Sequence, residues 1–218
     1  MLIDKNTVSA ENQMIGSSVV SFLGDPGAKK RILIVGNSIT RHGPKADIGW
    51  DRDWGMAASS PEKDYVHRLF SMLGDRDVFI RIRQSAEWER GLRCDSILDR
   101  FDGERDFDAD VVVFRLGENV PKDDKHLFED GLRKFIAHVC PHGKVLFTTC
   151  FWENPTVDDA IVKVAAERKE ICVDVCFSKD EKNMAIGQFE HSGVAHHPSD
   201  EGMLMIAQAI FEQLKNMI

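Results

Sequence analysis

Three positions in this sequence set a chemically capable side chain where an apolar run gives way to polar residues. Ser38 follows "ILIVGN", Asn119 follows "VVVFRLGE", and His197 stands before Pro198 at the head of the last amphipathic segment. A hydroxyl, a carboxamide and an imidazole are the parts needed for acyl transfer: a nucleophile, a donor for a developing oxyanion, and a base that moves the proton. Each also has a plainer use. A serine after a strand caps the next helix or holds a phosphate, an asparagine braces a turn, and a histidine sits in a second layer or at the surface. His191, His196 and His197 are close in sequence, but no H-E-x-x-H or paired Cys/His spacing makes them a metal site.

Other polar and aromatic residues accompany the three. Ser85 and Ala86 follow "VFIRIRQ", and Trp152 and Glu153 follow "KVLFTTCF". The stretch 41–60 carries Trp50 and Trp54 four residues apart, with glycines nearby. It reads either as a roof over a site or as a long loop with both indoles packed beneath it. Tryptophans beside polar groups stack on sugars or line acyl pockets, so Trp50, Trp54 and Trp152 are candidate substrate contacts. Glu87, Glu89, Glu118 and Glu153 are expected at the same rim. There they would repel anions and favour neutral or carbohydrate esters; Glu118 is a further candidate contact.

The elements that would position these residues are legible in the hydrophobic pattern. Apolar runs at 31–36, 78–83, 110–117, 144–150 and 171–176 read as strands. The first, third and fourth are nearly continuous, as in parallel strands covered on both faces. The second alternates, with Arg81 and Arg83 on one side, and is expected at the sheet edge. Helical stripes fall at 61–73, with Ser60 as its cap, and at 123–139, 157–170 and 199–218. Alternating strands and helices predict an α/β fold: a three-layer, doubly wound, flavodoxin-like parallel sheet of about five strands. Such sheets bind ligands at the carboxyl ends of their strands, where Ser38 and Asn119 stand. Residues 1–30 read as an N-terminal arm and 31–218 as the main domain. "VVSFLGDPGAKK" in the arm could be an added strand, or a segment packed on the domain or on a second subunit.

Bulk properties narrow the function. The 218 residues suit one well-buried domain, and the net charge of −8 argues against a nucleic-acid partner. No apolar run approaches the roughly 20 residues that span a bilayer, so no membrane partner is expected. "MLIDKNTVSAENQ" lacks the apolar stretch of a signal peptide. The five cysteines form no C-x-x-C pair, and reduced thiols in a cytoplasmic protein are expected. The pattern leaves a homo-oligomer open.

Taken in order, the blocks resemble the SGNH or GDSL hydrolase family from about residue 31 to the end. Gly36-Asn37-Ser38 resembles the family's G-D-S block, Gly117-Glu118-Asn119-Val120 its G-x-N-D block, and His197-Pro198 the end of its D-x-x-H-P block. The resemblance implies a serine esterase with Ser38 as nucleophile, His197 as base and Asn119 as oxyanion donor. It also implies a second backbone donor from the block after the second strand, here Ala86. The reaction needs no metal or organic cofactor. The first expectation for the substrate is a small-molecule or carbohydrate ester, with a short acyl group such as O-acetyl on a sugar. Thioesterase and lysophospholipase activities are alternatives within the class. A flavodoxin-like ligand-binding module and a non-catalytic sugar-binding module are alternatives outside it. Val194 stands where the family has its acid, so a backbone carbonyl or Glu190 must hold the imidazole.

Overall fold

The computed structural model describes residues 19–218. Its elements are β1 (Val20–Gly24), β2 (Lys30–Gly36), α1 (Tyr65–Leu73), β3 (Val78–Gln84), α2 (Ala86–Arg90), α3 (Asp102–Asp106), β4 (Val111–Arg115), α4 (Lys125–Val139), β5 (Lys144–Thr148), α5 (Pro155–Arg168), β6 (Ile171–Val173), α6 (Ser192–Ala195) and α7 (Asp200–Leu214). They build one sheet in the order β1-β3-β2-β4-β5-β6. β2 to β6 are parallel, and β1 joins β3 antiparallel. The parallel part has the flavodoxin-like order expected from the sequence. Its switch point lies between β2 and β4, and a crevice opens where crossovers leave in opposite directions.

Side chains alternate between the two faces of each strand. Leu33, Val35, Val112 and Phe114 pack with α4 and α5 in one core. Ile32, Ile34, Val111 and Val113 pack with α1 and α7 in the other. These strands are buried on both faces, which is why their sequence runs are continuous rather than alternating. Among the described residues no helix is long and apolar enough to cross a membrane.

The five parallel strands are those expected, and of the readings left open for the arm the added strand is the one formed: part of the arm makes β1, where Phe22 stacks on Phe79 at 5.3 Å, so the sheet has six strands. Residues 1–18 of the arm lie outside the described residues. Two expectations about the elements are corrected. With β1 beside it, β3 is not an edge strand. Its arginines are accommodated by carboxylates brought from elsewhere: Arg81 Nε donates to the buried Glu104 at 2.8 Å, and Arg83 Nε lies 3.4 Å from the same carboxylate. Finally, residues 61–63 form a separate 3-10 turn, and α1 is capped by Asp64 rather than Ser60. The Asp64 side chain accepts from His67 N at 2.8 Å and from Gly55 N at 3.2 Å, satisfying a first-turn amide and tethering the preceding loop.

Candidate active site

β2 ends at Gly36, and the chain turns sharply there. A Cβ on Gly36 would lie 1.7 Å from Thr40 Oγ1, so only glycine permits this turn. The Asn37 carbonyl accepts from Thr40 N and Arg41 N at 2.9 and 3.0 Å, and Ser38 is raised at the head of the turn, half-buried. Its Oγ lies 2.7 Å from His197 Nε2.

His197 is buried and tightly held. Its Nδ1 lies 2.6 Å from the Gly193 carbonyl. A carbonyl only accepts, so Nδ1 carries the proton, and Nε2 is left with a lone pair facing the Ser38 hydroxyl. Gly193 lies in the short α6, whose first turn is capped by His191: its Nδ1 accepts from Val194 N at 3.3 Å. Trp152 and His197 form a T-shaped pair with ring centroids 5.3 Å apart, and the Trp152 indole donates to the His196 carbonyl. Glu190 is exposed. Val194 is fully buried in an apolar cluster with Ile48, Trp50 and Met56. At this position packing, not charge, sets the residue type.

Asn119 follows β4 through Gly117, whose φ is +143° and whose Cβ would lie 2.7 Å from Cys150 Sγ and Val157 Cγ1. Beneath it is a buried polar cluster. Glu89 accepts from Gly117 N at 2.6 Å, Asn119 N at 3.1 Å, Asn119 Nδ2 at 2.8 Å and Asn37 Nδ2 at 3.3 Å. Asn37 Nδ2 also donates to Glu118 Oε2 at 2.6 Å, and its Oδ1 accepts from Arg115 Nη1 at 3.1 Å. Arg115 is fully buried and pairs with Glu118. Burial, then the charge of Glu118, raises the Glu89 carboxyl above the ordinary range, while the donors on it act in the opposite sense.

Ser38, Asn119 and His197 border one cleft. Ile48, Met56 and Val194 supply an apolar wall, and His42 and Lys45 a polar one. Burial lowers His42 to about 4, so this ring is neutral, with its Nδ1 2.7 Å from the Gly43 carbonyl. Lys45 Nζ pairs with Asp47 at 2.9 Å.

Several sequence-level assignments change here. Ala86 is buried and does not border the cleft; its N–H donates to Gln84 Oε1 at 3.2 Å. The local side chain, not an oxyanion, occupies that donor. Trp50 is buried, its indole donating to the His42 carbonyl at 2.9 Å, and Trp54 donates to Ala58 O. The stretch 41–60 does border the cleft, but through His42, Lys45, Ile48 and Met56. Glu118 faces inward. The acidic rim is also dispersed: Glu87 pairs with Arg83 and Arg100, Glu153 with Lys179, and Glu89 and Glu118 are turned inward around Asn37. Of the candidate tryptophans, Trp152 is the one beside His197. Sequence reasoning missed His42 and Lys45 as neighbours of the site, with their i, i+3 spacing beside Ser38 as the available signal, and expected Glu89 at the rim rather than buried against Asn119.

Solved structures share this architecture. The fold is that of G-D-S-L lipolytic proteins and carbohydrate esterases. A lipolytic protein of the G-D-S-L family from Veillonella parvula superposes with a TM-score of 0.56 at 14% identity, covering 85% of this chain and 98% of that one. An acetylxylan esterase from Geobacillus stearothermophilus gives 0.54 at 19% identity, covering 85% and 94%. A family two carbohydrate esterase from Cellvibrio japonicus gives 0.52 at 13% identity, covering 87% of this chain, which spans 62% of that one's length. At these identities the likeness is one of fold. No protein-family model matches the chain, and no curated protein matches it in sequence.

Proposed function

We propose that this protein is a serine esterase that removes short acyl groups, O-acetyl foremost, from a carbohydrate. The observation that carries the reading is the 2.7 Å contact between Ser38 Oγ and His197 Nε2, with the imidazole tautomer held by the Gly193 carbonyl. Ser38 Oγ attacks the ester carbonyl carbon while its proton passes to Nε2. The carbonyl oxygen becomes an oxyanion, facing the Asn119 amide and the Ser38 N–H. The imidazolium returns the proton to the departing alkoxide. Water, deprotonated by the same nitrogen, then attacks the acyl-Ser38 carbonyl and releases the acid.

The orienting group in this reading is a neutral carbonyl. It selects the tautomer as a carboxylate would but stabilises the imidazolium less. The apolar wall of Ile48, Met56 and Val194 beside Ser38 supports a small acyl group, and the fold shared with an acetylxylan esterase supports a sugar as the alcohol. The unpaired state of all five cysteines supports action in a reducing compartment such as the cytoplasm.

The test is labelling with a fluorophosphonate probe, followed by turnover of p-nitrophenyl esters from acetate to palmitate and of acetylated xylo-oligosaccharides. Labelling at Ser38 with preference for acetate is the expected result. Sugar binding without labelling or turnover would make the protein a non-catalytic module, and a preference for long chains would make it a lipid esterase.

A further inference from the structure

The cleft has a second layer that the proposed reaction does not yet use. Glu89 is fully buried, and four donors converge on its two oxygens. Two of the donors are the backbone N–H groups of Gly117 and Asn119. A third is the Asn119 side chain. On the far side of that side chain, Arg90 Nη2 lies 3.4 Å from Asn119 Oδ1. The carboxamide is thus held at both ends, its nitrogen on an anion and its oxygen toward a cation. One Nδ2–H is engaged by Glu89, and the other remains on the same nitrogen, at the cleft that Asn119 shares with Ser38.

We infer that Glu89 is a positioning residue of this site: its carboxylate grips the backbone and side chain of Asn119 and so aims the carboxamide at the oxyanion formed on Ser38. The inference rests on the esterase reading. It also accounts for Gly36-Asn37-Ser38, where the resembling family has aspartate in the middle. The Asn37 amide donates to both Glu118 and Glu89 while its oxygen accepts from Arg115. An aspartate there would bring a third carboxylate to within 2.6 Å of Glu118, with Arg115 as the cation beside it. Like charges this close cannot all remain ionised in a buried site. With Glu89 present, residue 37 has to donate.

Glu89→Gln is nearly isosteric. Its oxygen can keep the two backbone donors, but its NH2 then meets the NH2 of Asn119, and the carboxamide must turn. On p-nitrophenyl acetate we expect kcat to fall by up to about 10²–10³-fold, the cost of losing an oxyanion donor, with little change in KM. In an Asn119→Ala background the same substitution should have almost no further effect, because Glu89 acts through Asn119. Equal losses in both backgrounds, or a change confined to KM, would overturn the inference. If Glu89→Gln does not fold, Arg90→Met puts the same question from the other end of the carboxamide. It should lower kcat by a smaller factor in the Asn119 protein and leave the Asn119→Ala protein unchanged; additive losses overturn the inference here too. Wild-type protein that neither labels nor turns over defeats the esterase reading and this inference with it. Active wild type beside an unaffected Glu89→Gln defeats this inference alone.

Discussion

The two sides of the Ser38 hydroxyl follow opposite electrostatic plans. On the histidine side the orienting contact is a backbone carbonyl, and Val194 and Trp152 are neighbours of the ring. On the asparagine side, Glu89, Glu118 and Arg115 are buried together around Asn37. A neutral hydrogen bond to a fixed backbone atom costs little to bury and depends mainly on the path of the chain. A buried ionic cluster depends on every member, since removing one leaves another uncompensated. The histidine side should therefore tolerate changes to its surrounding carboxylates, and the asparagine side should not.

The largest effect tests what both sides serve. Ser38→Ala should reduce ester hydrolysis by about 10⁴-fold or more, with unchanged circular dichroism and melting temperature. Turnover within tenfold of wild type would remove Ser38 from the chemistry.

Arg115→Met should then break the charged side. Glu118 loses its buried cation, and a loss of about 3–5 kcal/mol is expected in urea unfolding. A loss below about 1 kcal/mol would mean that the cluster is far better solvated than its burial indicates.

A third measurement separates the polar wall of the cleft from both. The folded pKa of His42 is about 4, against about 6.5 unfolded. Between these values the unfolded chain binds the extra proton. Stability should therefore be complete above about pH 6.5 and decline as pH falls toward 4, by about 3 kcal/mol when the decline is complete. His42→Gln should flatten that part of the stability profile. An unchanged profile would show that the ring is not buried neutral.

The smallest expected effect sharpens the neutral side. Glu190→Gln should leave kcat within about twofold of wild type, because Gly193 O already holds the imidazole N–H, and His196→Ala should be similarly mild. A Glu190→Gln loss approaching that of Ser38→Ala would restore a carboxylate to the histidine side and end the contrast.

How much of this was legible in the sequence depended on how far each property reaches along the chain. Continuous apolar runs placed β2, β4 and β5, because burial on both faces leaves a local mark. The blocks around Ser38, Asn119 and His197 were visible for the same reason: each is a short segment at a strand or helix end. The alternating run 78–83 misled, since Arg81 and Arg83 look like an exposed edge until Glu104 is folded against them. The four glutamates misled in the same way. Nothing local distinguishes Glu89, beneath Asn119, from Glu153 at the surface.

By itself, then, the sequence determined the order of the five parallel strands and the four long helices, and the residue types present at the carboxyl ends of the strands. Periodicity and turn chemistry are properties of neighbouring residues. Tertiary structure alone decided that Gly193 rather than Glu190 meets His197, that Trp50 lies under the cleft rather than in it, that Gln84 takes the Ala86 N–H, and that Glu89 holds Asn119 from thirty residues away. These are questions of which donor faces which acceptor once solvent is excluded. In a buried site that pairing depends on the packing of segments remote in sequence, which no local pattern encodes.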